Sequence, residues 1–79
     1  MGKRITVRDP DSGHKVHVDV EPETVVEEVV ESAAKYWDKP LGAYVVRRGH
    51  QILAASAKVA DMDIGDEDIL ELIPDPEGG

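Results

Sequence analysis

The residues best suited to reactive chemistry are the last two, Gly78 and Gly79, at the end of the stretch IPDPEGG. At a glycine usage of about 7%, two glycines would fill both positions by chance only roughly 0.5% of the time. Residues without a Cβ atom can enter a narrow channel and adopt any φ value. The pair is therefore suited to carrying a terminal carboxylate into the cleft of another protein.

The other reactive side chains form no recognisable catalytic or metal-binding arrangement. His14 and His17 point to opposite faces of a regular strand, and His50 falls in a predicted turn. The acidic stretch DMDIGDEDILE lacks the glycine and glutamate spacing of a calcium loop, so we interpret it as a solvated turn. No serine belongs to a visible histidine and aspartate arrangement, and the chain has no cysteine. We expect no metal, no cofactor and no enzymatic activity.

Composition restricts the classes of partner. The chain has 79 residues, of which 17 are acidic and 9 are basic, so its formal net charge is -8. A negative charge of this size disfavours binding to nucleic acid and to anionic membranes. No apolar run approaches 18 residues, the length that a membrane-spanning helix needs. We expect a monomeric cytoplasmic protein of one domain.

The first half of the chain predicts a β-hairpin followed by a helix. RITVRDPDSGHKVHVDV contains two runs of alternating apolar residues around the turn-forming stretch DPDSG. EPETVVEEVVESAAKYWDKP changes to a helical period. Thr24 and Glu27 have the spacing of a capping box, which predicts a helix start at about residue 25. Pro40 predicts that the helix ends near Asp38.

The second half predicts two strands and a short extended piece. AYVVRRGHQIL indicates a third strand, a turn at Gly49 and the short piece. DMDIGDEDILELI indicates a turn around Gly65 and Asp66 and then a last strand. The order strand, strand, helix, strand, short strand, strand predicts an α+β fold. Its mixed sheet would have four to five strands, with one helix packed across it.

This order and several segments resemble the ubiquitin-like proteins of the β-grasp fold. VDVEPETVVEEV is similar to the family's second strand, turn and helix start, and VVRRGHQIL to its third strand and glycine turn. VADMDIGDEDILELIPDPEGG is similar to its closing segment. The resemblance covers about residues 4–79. It implies a ubiquitin-like domain at residues 1–73 and a flexible diglycine tail at residues 74–79.

The tail more closely resembles prokaryotic relatives of ubiquitin. Its prolines and acids, and the stretch IGDED, are similar to the MoaD and ThiS sulfur carriers and to archaeal small modifier proteins. The chain lacks the asparagine typical of the sulfur carriers' middle strand, which favours the modifier role. LGAYVVRRGHQIL also resembles bacterial ubiquitin-like domains that accompany secretion systems.

The resemblance implies a substrate of an E1-like or MoeB-like activating enzyme that uses ATP. Adenylation of Gly79 would lead to an isopeptide bond with a lysine of a target protein, or to a thiocarboxylate for a sulfur-acceptor enzyme. The alternative is a non-conjugating interaction module that binds a partner through its sheet. In the family, the partner surface is an apolar patch on the exposed sheet face. Val46 and Ile73 match two of its positions, and alternation adds Tyr44. The third position falls in the turn at residues 9–12, which is not aliphatic, so the patch is incomplete, and burial of Val46 is the alternative to a contact role.

Overall fold

The computed structural model describes residues 2–40, 42–65 and 68–76. In these residues the sheet has the order β2-β1-β5-β3-β4, with β1 and β5 parallel and the other neighbours antiparallel. One α-helix packs across it, as the sequence predicts, and a 3-10 helix precedes the last strand. The elements are β1 Lys3–Arg8, β2 Lys15–Val20, α1 Val26–Tyr36, β3 Tyr44–Arg48, β4 Gln51–Ile52, the 3-10 helix Val59–Met62 and β5 Ile69–Pro74.

The predicted hairpin of β1 and β2 is confirmed, and Asp9 organises its turn. The Asp9 N–H donates to the carbonyl of His14 at 2.8 Å, and the Gly13 N–H donates to the carbonyl of Asp9 at 2.7 Å. Gly13 has a φ of 79°, a value that favours glycine. The Asp9 carboxylate also accepts the Asp11 N–H at 3.0 Å and the Ser12 hydroxyl at 3.2 Å. These bonds explain why DPDSG forms a turn here.

The helix begins at Val26, in agreement with the predicted start at about residue 25, but the predicted capping box of Thr24 and Glu27 is wrong. The Thr24 hydroxyl accepts the N–H of Glu21 at 2.9 Å, while the Glu28 carboxylate accepts the N–H of Val25 at 3.3 Å. The first helical N–H groups, those of residues 26 and 27, donate instead to the carbonyls of residues 57 and 55, both at 2.9 Å. A loop distant in sequence thus satisfies groups that a side-chain cap would otherwise serve.

The helix ends at Tyr36, two residues before the predicted position. The Trp37 N–H still donates to the carbonyl of Ala33 at 3.1 Å, but Asp38 has a left-handed φ of 57°. Aspartate is one of the few residues besides glycine that adopt this conformation readily. The reversal lets the Lys39 N–H donate to the carbonyl of Ala34 at 2.8 Å and sends the chain back toward the sheet.

The core lies between α1 and one face of the sheet. The helix contributes only valine and alanine to it, which fits a helix held by packing rather than by its own propensity. The loop after β4 and the 3-10 helix close the ends of the core. Its buried apolar side chains are Ile5, Val7, Val20, Val26, Val29, Val30, Ala33, Ala34, Val46, Leu53, Val59, Ile64, Leu70 and Leu72.

Candidate functional site: the open face of the sheet

The side of the sheet turned away from α1 is the candidate functional surface, and we call it the open face. Successive residues of a strand point to opposite faces, so the buried residues identify the neighbours that lie on the open face. They come from all five strands: Arg4, Thr6, Arg8, Lys15, His17, Asp19, Val45, Arg47, Ile52, Ile69, Glu71 and Ile73.

A straight row of side chains crosses the middle of the open face. The strand register places Lys15 opposite Arg8, Arg8 opposite Glu71, Glu71 opposite Arg47, and Arg47 opposite Ile52. We call these five residues the central row. Glu71 Oε1 accepts Arg47 Nη2 at 2.6 Å, and Glu71 Oε2 accepts Arg8 Nη1 at 2.5 Å. One carboxylate therefore joins two guanidinium groups from the strands on either side of it.

The environment of Glu71 keeps its carboxyl group ionised. The hydrogen bond from Arg47 is the largest cause that lowers the pKa of Glu71, and partial burial opposes it. The positive charges of Arg47 and Arg8 lower the pKa further, so the net shift is downward. At neutral pH the central row therefore holds one negative charge among several positive ones.

Apolar side chains end and flank the central row: Ile52 is its last member, and Ile69, Val45 and Ile73 lie beside it. Ile69 is 41% exposed and Ile52 is 46% exposed, which places both among the exposed large apolar residues of the described chain. Val45 and Ile73 lie opposite each other on β3 and β5 and are half-buried. Ile69 lines a depression of about 400 Å³. The residues around it are Arg8, Lys15, Gly49, Ile69 and Glu71.

The structure corrects the placement of Val46 and Tyr44. The side chain of Val46 is fully buried against the helix side of the sheet, opposite Leu72. Tyr44 lies on the same side by alternation and packs against the core, with Lys39 Nζ 5.2 Å from its ring centroid. The prediction that these two residues belong to an exposed sheet patch is therefore wrong. Ile73 does lie on the open face, and its role as a partner contact stays a prediction.

The error has a simple physical origin. Two valines are adjacent in β3, and a period of two cannot decide by itself which one faces the core. The pairing with β5 decides it, because Val46 lies opposite buried Leu72 and Val45 lies opposite Ile73. Arg47 therefore occupies the open face. The sequence alone could not assign this position, because each of the two valines alternates with an arginine.

The reactive tail predicted at Gly78 and Gly79 lies outside the described residues. The segment that leads to these two glycines is described as far as Pro76. After β5 ends at Pro74, the Asp75 N–H donates to the carbonyl of Ala43 at 2.9 Å. The predicted turn at residues 65–66 is described only at Gly65, whose N–H donates to the Asp68 carboxylate at 2.9 Å.

A second charged cluster joins the hairpin turn to the end of the helix. Asp9 is only 7% exposed, and Lys39 Nζ lies 3.6 Å from its Oδ2 atom. Burial acts to raise the pKa of Asp9, but the hydrogen bonds from Asp11 and Ser12 and the charge of Lys39 outweigh it and lower the pKa. The cluster stabilises local structure, and its carboxylate is already occupied by these partners.

The part of the chain that the structure describes has neither a cluster of metal ligands nor a membrane-spanning helix. No group of three or more histidine, cysteine, aspartate or glutamate side chains there is placed to hold a metal ion. No helix there is long and apolar enough to cross a membrane.

Comparison with solved structures identifies the fold. The chain superposes on a chain of the crystal structure of a complex of pParkin, pUb and UbcH7 with a TM-score of 0.82 and 19% identity, over 94% of this chain. It spans only 23% of that longer chain. It superposes on a de novo design based on ubiquitin with a TM-score of 0.81 and 23% identity, over 98% of this chain and 93% of the design. No family model and no curated protein sequence matches. The chain has the ubiquitin-like β-grasp fold.

Proposed function

We propose that this protein is a ubiquitin-like modifier or sulfur carrier that reacts through Gly79. The observation that carries the proposal is the position of the Gly78-Gly79 pair a few residues beyond the central strand of a ubiquitin-like sheet, with Pro74 at the end of that strand and Pro76 after it. β5 pairs with β1 on one side and β3 on the other, so the tail begins from a firmly held strand. Pro74 and Pro76 restrict the backbone, which lowers the entropy cost of docking the tail.

The proposed chemistry uses the carboxylate of a chain that ends at Gly79. An oxygen of this carboxylate attacks the α-phosphorus of ATP on an E1-like or MoeB-like enzyme, and pyrophosphate leaves. The product is an acyl-adenylate. Hydrosulfide then displaces AMP to give a thiocarboxylate, or a cysteine thiolate displaces AMP to give a thioester. A target lysine amine attacks the thioester, releases the thiol and forms an isopeptide bond. The protein is a substrate in every step.

Intact-mass spectrometry tests this proposal. A polypeptide made to end at Gly79 is incubated with an activating enzyme of either class and ATP, and its mass is compared with that of a variant lacking Gly79. We expect an adenylate, thiocarboxylate or conjugate only for the chain with Gly79. If both polypeptides keep their starting mass with every enzyme tested, the proposal fails.

The identity of the reaction product would distinguish a sulfur carrier from a protein modifier. Added sulfide should yield a thiocarboxylate if the protein is a sulfur carrier. Added lysine-containing proteins should yield conjugates if it is a modifier, and the missing asparagine of the sulfur carriers favours this outcome.

A second candidate function is a non-conjugating module that docks protein partners on the open face. The observation in its favour is that Ile52 and Ile69 are exposed on a sheet face that no described helix covers. A neighbour of the same fold occurs in a complex with protein partners, the complex of pParkin, pUb and UbcH7.

This candidate predicts that a chain without residues 74–79 still captures its partner. Ile69→Asp should abolish capture, while Tyr36→Asp on the exposed helix surface should not. Loss of capture on removal of residues 74–79 alone would speak against it.

A further inference from the structure

We propose that two copies of this chain pair through the free edge of β2, in an antiparallel register centred on His17. The free edge is the side of β2 that faces away from β1. The pairing joins main chains at the border of the sheet and does not involve the tail, so it goes beyond both candidate functions. It also departs from the monomer expected from the sequence.

β2 is the longer of the two strands that border the sheet. The sheet ends with β2 on one side and with β4 on the other. β4 has two residues, whereas β2 has six residues in an unbroken register with β1. Natural proteins protect edge strands by keeping them short or by adding bulges and prolines, and β2 has none of these features. Its edge is therefore open to main-chain pairing.

The hydrogen bonds of the hairpin show which residues of β2 face the free edge. The Asp9 N–H donates to the carbonyl of His14, which makes these two residues a hydrogen-bonded pair in the register of β1 and β2. Such pairs alternate along an antiparallel ladder, so the even-numbered residues of β2 direct their main-chain groups to β1. The residues that direct theirs outward are Lys15, His17 and Asp19. In the described part of the chain, no loop or turn bonds to these outward groups.

The side chains of the three outward residues complement those of a second copy. When His17 lies opposite His17, Lys15 of each copy lies opposite Asp19 of the other. Each of these pairs exchanges two main-chain hydrogen bonds, and opposite charges on paired residues attract. A register shifted by two residues would place Asp19 or Lys15 opposite His17 instead. The charges therefore select the register centred on His17.

Both charged side chains are available for this pairing. Lys15 is exposed and has no ion-pair partner among the described residues. Asp19 accepts Arg4 Nε at 3.2 Å through Oδ1, which leaves Oδ2 for a second cation. The side chain of Asp19 is 79% exposed. The ammonium group of Lys15 from another copy can therefore reach it without displacing Arg4.

The helix side of the sheet adds an apolar contribution. In this register Val16 of each copy lies opposite Val18 of the other, in a pair without main-chain hydrogen bonds, where side chains are closest. Val16 and Val18 pack against the core but are only partly buried in the single chain. Pairing would cover part of their remaining apolar surface, which favours association.

The main opposing force is the net charge of -8 on each copy. This repulsion is spread over the whole molecule and is screened over about 8 Å at physiological ionic strength. The dimer is therefore weak and should form best in moderate salt. An extended segment of another protein could also pair with this edge, but the self-complementary order of charges along β2 favours a second copy.

Sedimentation velocity of the full chain tests the inference, at concentrations up to about 1 mM because the dimer is weak. We expect an equilibrium between monomer and dimer. Hydrogen exchange at low and high concentration should then locate the contact. Exchange should slow at high concentration only for the outward amides, those of Lys15, His17 and Asp19. Protection of every second amide is the signature of pairing at the edge of a strand.

Exchanging the two charges separates specific pairing from general electrostatics. Lys15→Asp and Asp19→Lys should each weaken the dimer by about fivefold or more, because each variant places like charges opposite each other. Asp19→Lys also reduces the net negative charge by two, so it would strengthen association if net charge alone mattered. The double variant Lys15→Asp/Asp19→Lys should restore the dimer. An equimolar mixture of the two single variants should form a mixed dimer.

A proline at the centre of the register tests the main-chain contribution. His17→Pro removes an outward N–H but no bond to β1, and edge strands tolerate proline at such positions. The variant should stay monomeric, while its circular dichroism and urea unfolding should show that it still folds. His17→Ala is the matched control, because it keeps the N–H, and it should change the affinity by less than about twofold.

Three outcomes would overturn the inference. The first is a monomer at every concentration. The second is a dimer that Asp19→Lys strengthens, or that the folded His17→Pro variant still forms. The third is protection confined to residues outside β2, which would show that the copies meet through another surface. Restored association of the double variant, together with protection of the outward amides, would support it.

Discussion

The two faces of the sheet are built from the same strands but carry different side chains. The face under the helix is apolar, whereas the open face carries many charged and polar groups. On β5, Leu70 and Leu72 point into the core, and Glu71 between them holds two arginines on the open face. On β1, Ile5 and Val7 are buried, while Thr6 between them contacts His17 at 3.1 Å. Side chains that build the core and side chains that face outward therefore alternate residue by residue along these strands rather than occupying separate regions of sequence.

The contributions of the two faces to the free energy of unfolding should differ accordingly. Fully burying a Val, Leu or Ile side chain contributes about 1.5–3 kcal/mol to the free energy of unfolding. Exposed ion pairs contribute roughly 0–1 kcal/mol. We therefore expect the fold to tolerate changes on the open face and to fail when equivalent changes are made on the covered face.

Adjacent valines on β3 give the sharpest test. Val46→Asp places an unpaired carboxylate in the core and should lower the free energy of unfolding by at least about 4 kcal/mol, enough to unfold a chain of this size. Val45→Asp, on the open face, should cost about 1 kcal/mol. Urea unfolding followed by the fluorescence of Trp37 measures both. Similar losses for the two variants would contradict the assignment of faces.

Neighbouring residues on β5 repeat the test without introducing charge. Leu70→Ala should lower the free energy of unfolding by about 2–5 kcal/mol, because it leaves a cavity beneath the helix. Ile69→Ala removes a side chain that is 41% exposed and should cost less than about 1 kcal/mol. The two urea midpoints provide the comparison. An Ile69→Ala loss as large as that of Leu70→Ala would show that the open face also supports the fold.

Glu71→Gln tests the central row through pH. The folded-state pKa of Glu71 lies below its unfolded value, so its contribution is fully present above about pH 4.3 and is lost as the pH falls through the lowered folded value. At pH 7 the variant should lose about 1 kcal/mol. The gap between wild type and variant should narrow as the pH falls from 6 to 3.

Asp9 provides the control for this experiment. Its folded-state pKa is also lowered, so the Glu71→Gln variant should still lose some stability in acid. Stability curves for wild type and variant that run parallel across this pH range would contradict the role assigned to Glu71.

The smallest effect belongs to the exposed pair at the edge of the open face. Arg4 Nε lies 3.2 Å from Asp19 Oδ1, and their side chains are 66% and 79% exposed. Arg4→Ala should change the free energy of unfolding by less than about 0.5 kcal/mol, and added salt should remove the difference. A loss above about 1 kcal/mol that persists in high salt would show that exposed pairs on this face matter for stability.

The sequence was informative wherever a pattern repeats within one element. The hairpin, the helix and the order of strands follow from alternation, from helical period and from turn residues such as Gly13, and these predictions are confirmed. The predicted capping box was wrong, and carbonyls of residues 55 and 57 accept the first helical N–H groups instead. The 3-10 helix Val59–Met62 was not predicted, since four residues are too few to show a period.

The candidate site was less predictable because it depends on register. Arg8, Glu71 and Arg47 are far apart in the chain and meet only when β5 lies between β1 and β3. No local pattern states which residue of one strand lies opposite which residue of another. Because the register could not be read from the sequence, Val46 was predicted to lie on the open face, although the strand that contains it was predicted correctly.

The central position of β5 also has a kinetic consequence. β1 and β2 form one hairpin, β3 and β4 form another, and in the described sheet only β5 joins them. Of the described strands, the last to be synthesised must therefore insert between pieces made earlier, and its parallel partner β1 is the first of them. Such non-local pairing slows folding relative to a sheet of successive hairpins. Until Ile69–Pro74 has left the ribosome, the chain can form its hairpins and helix but cannot close its sheet.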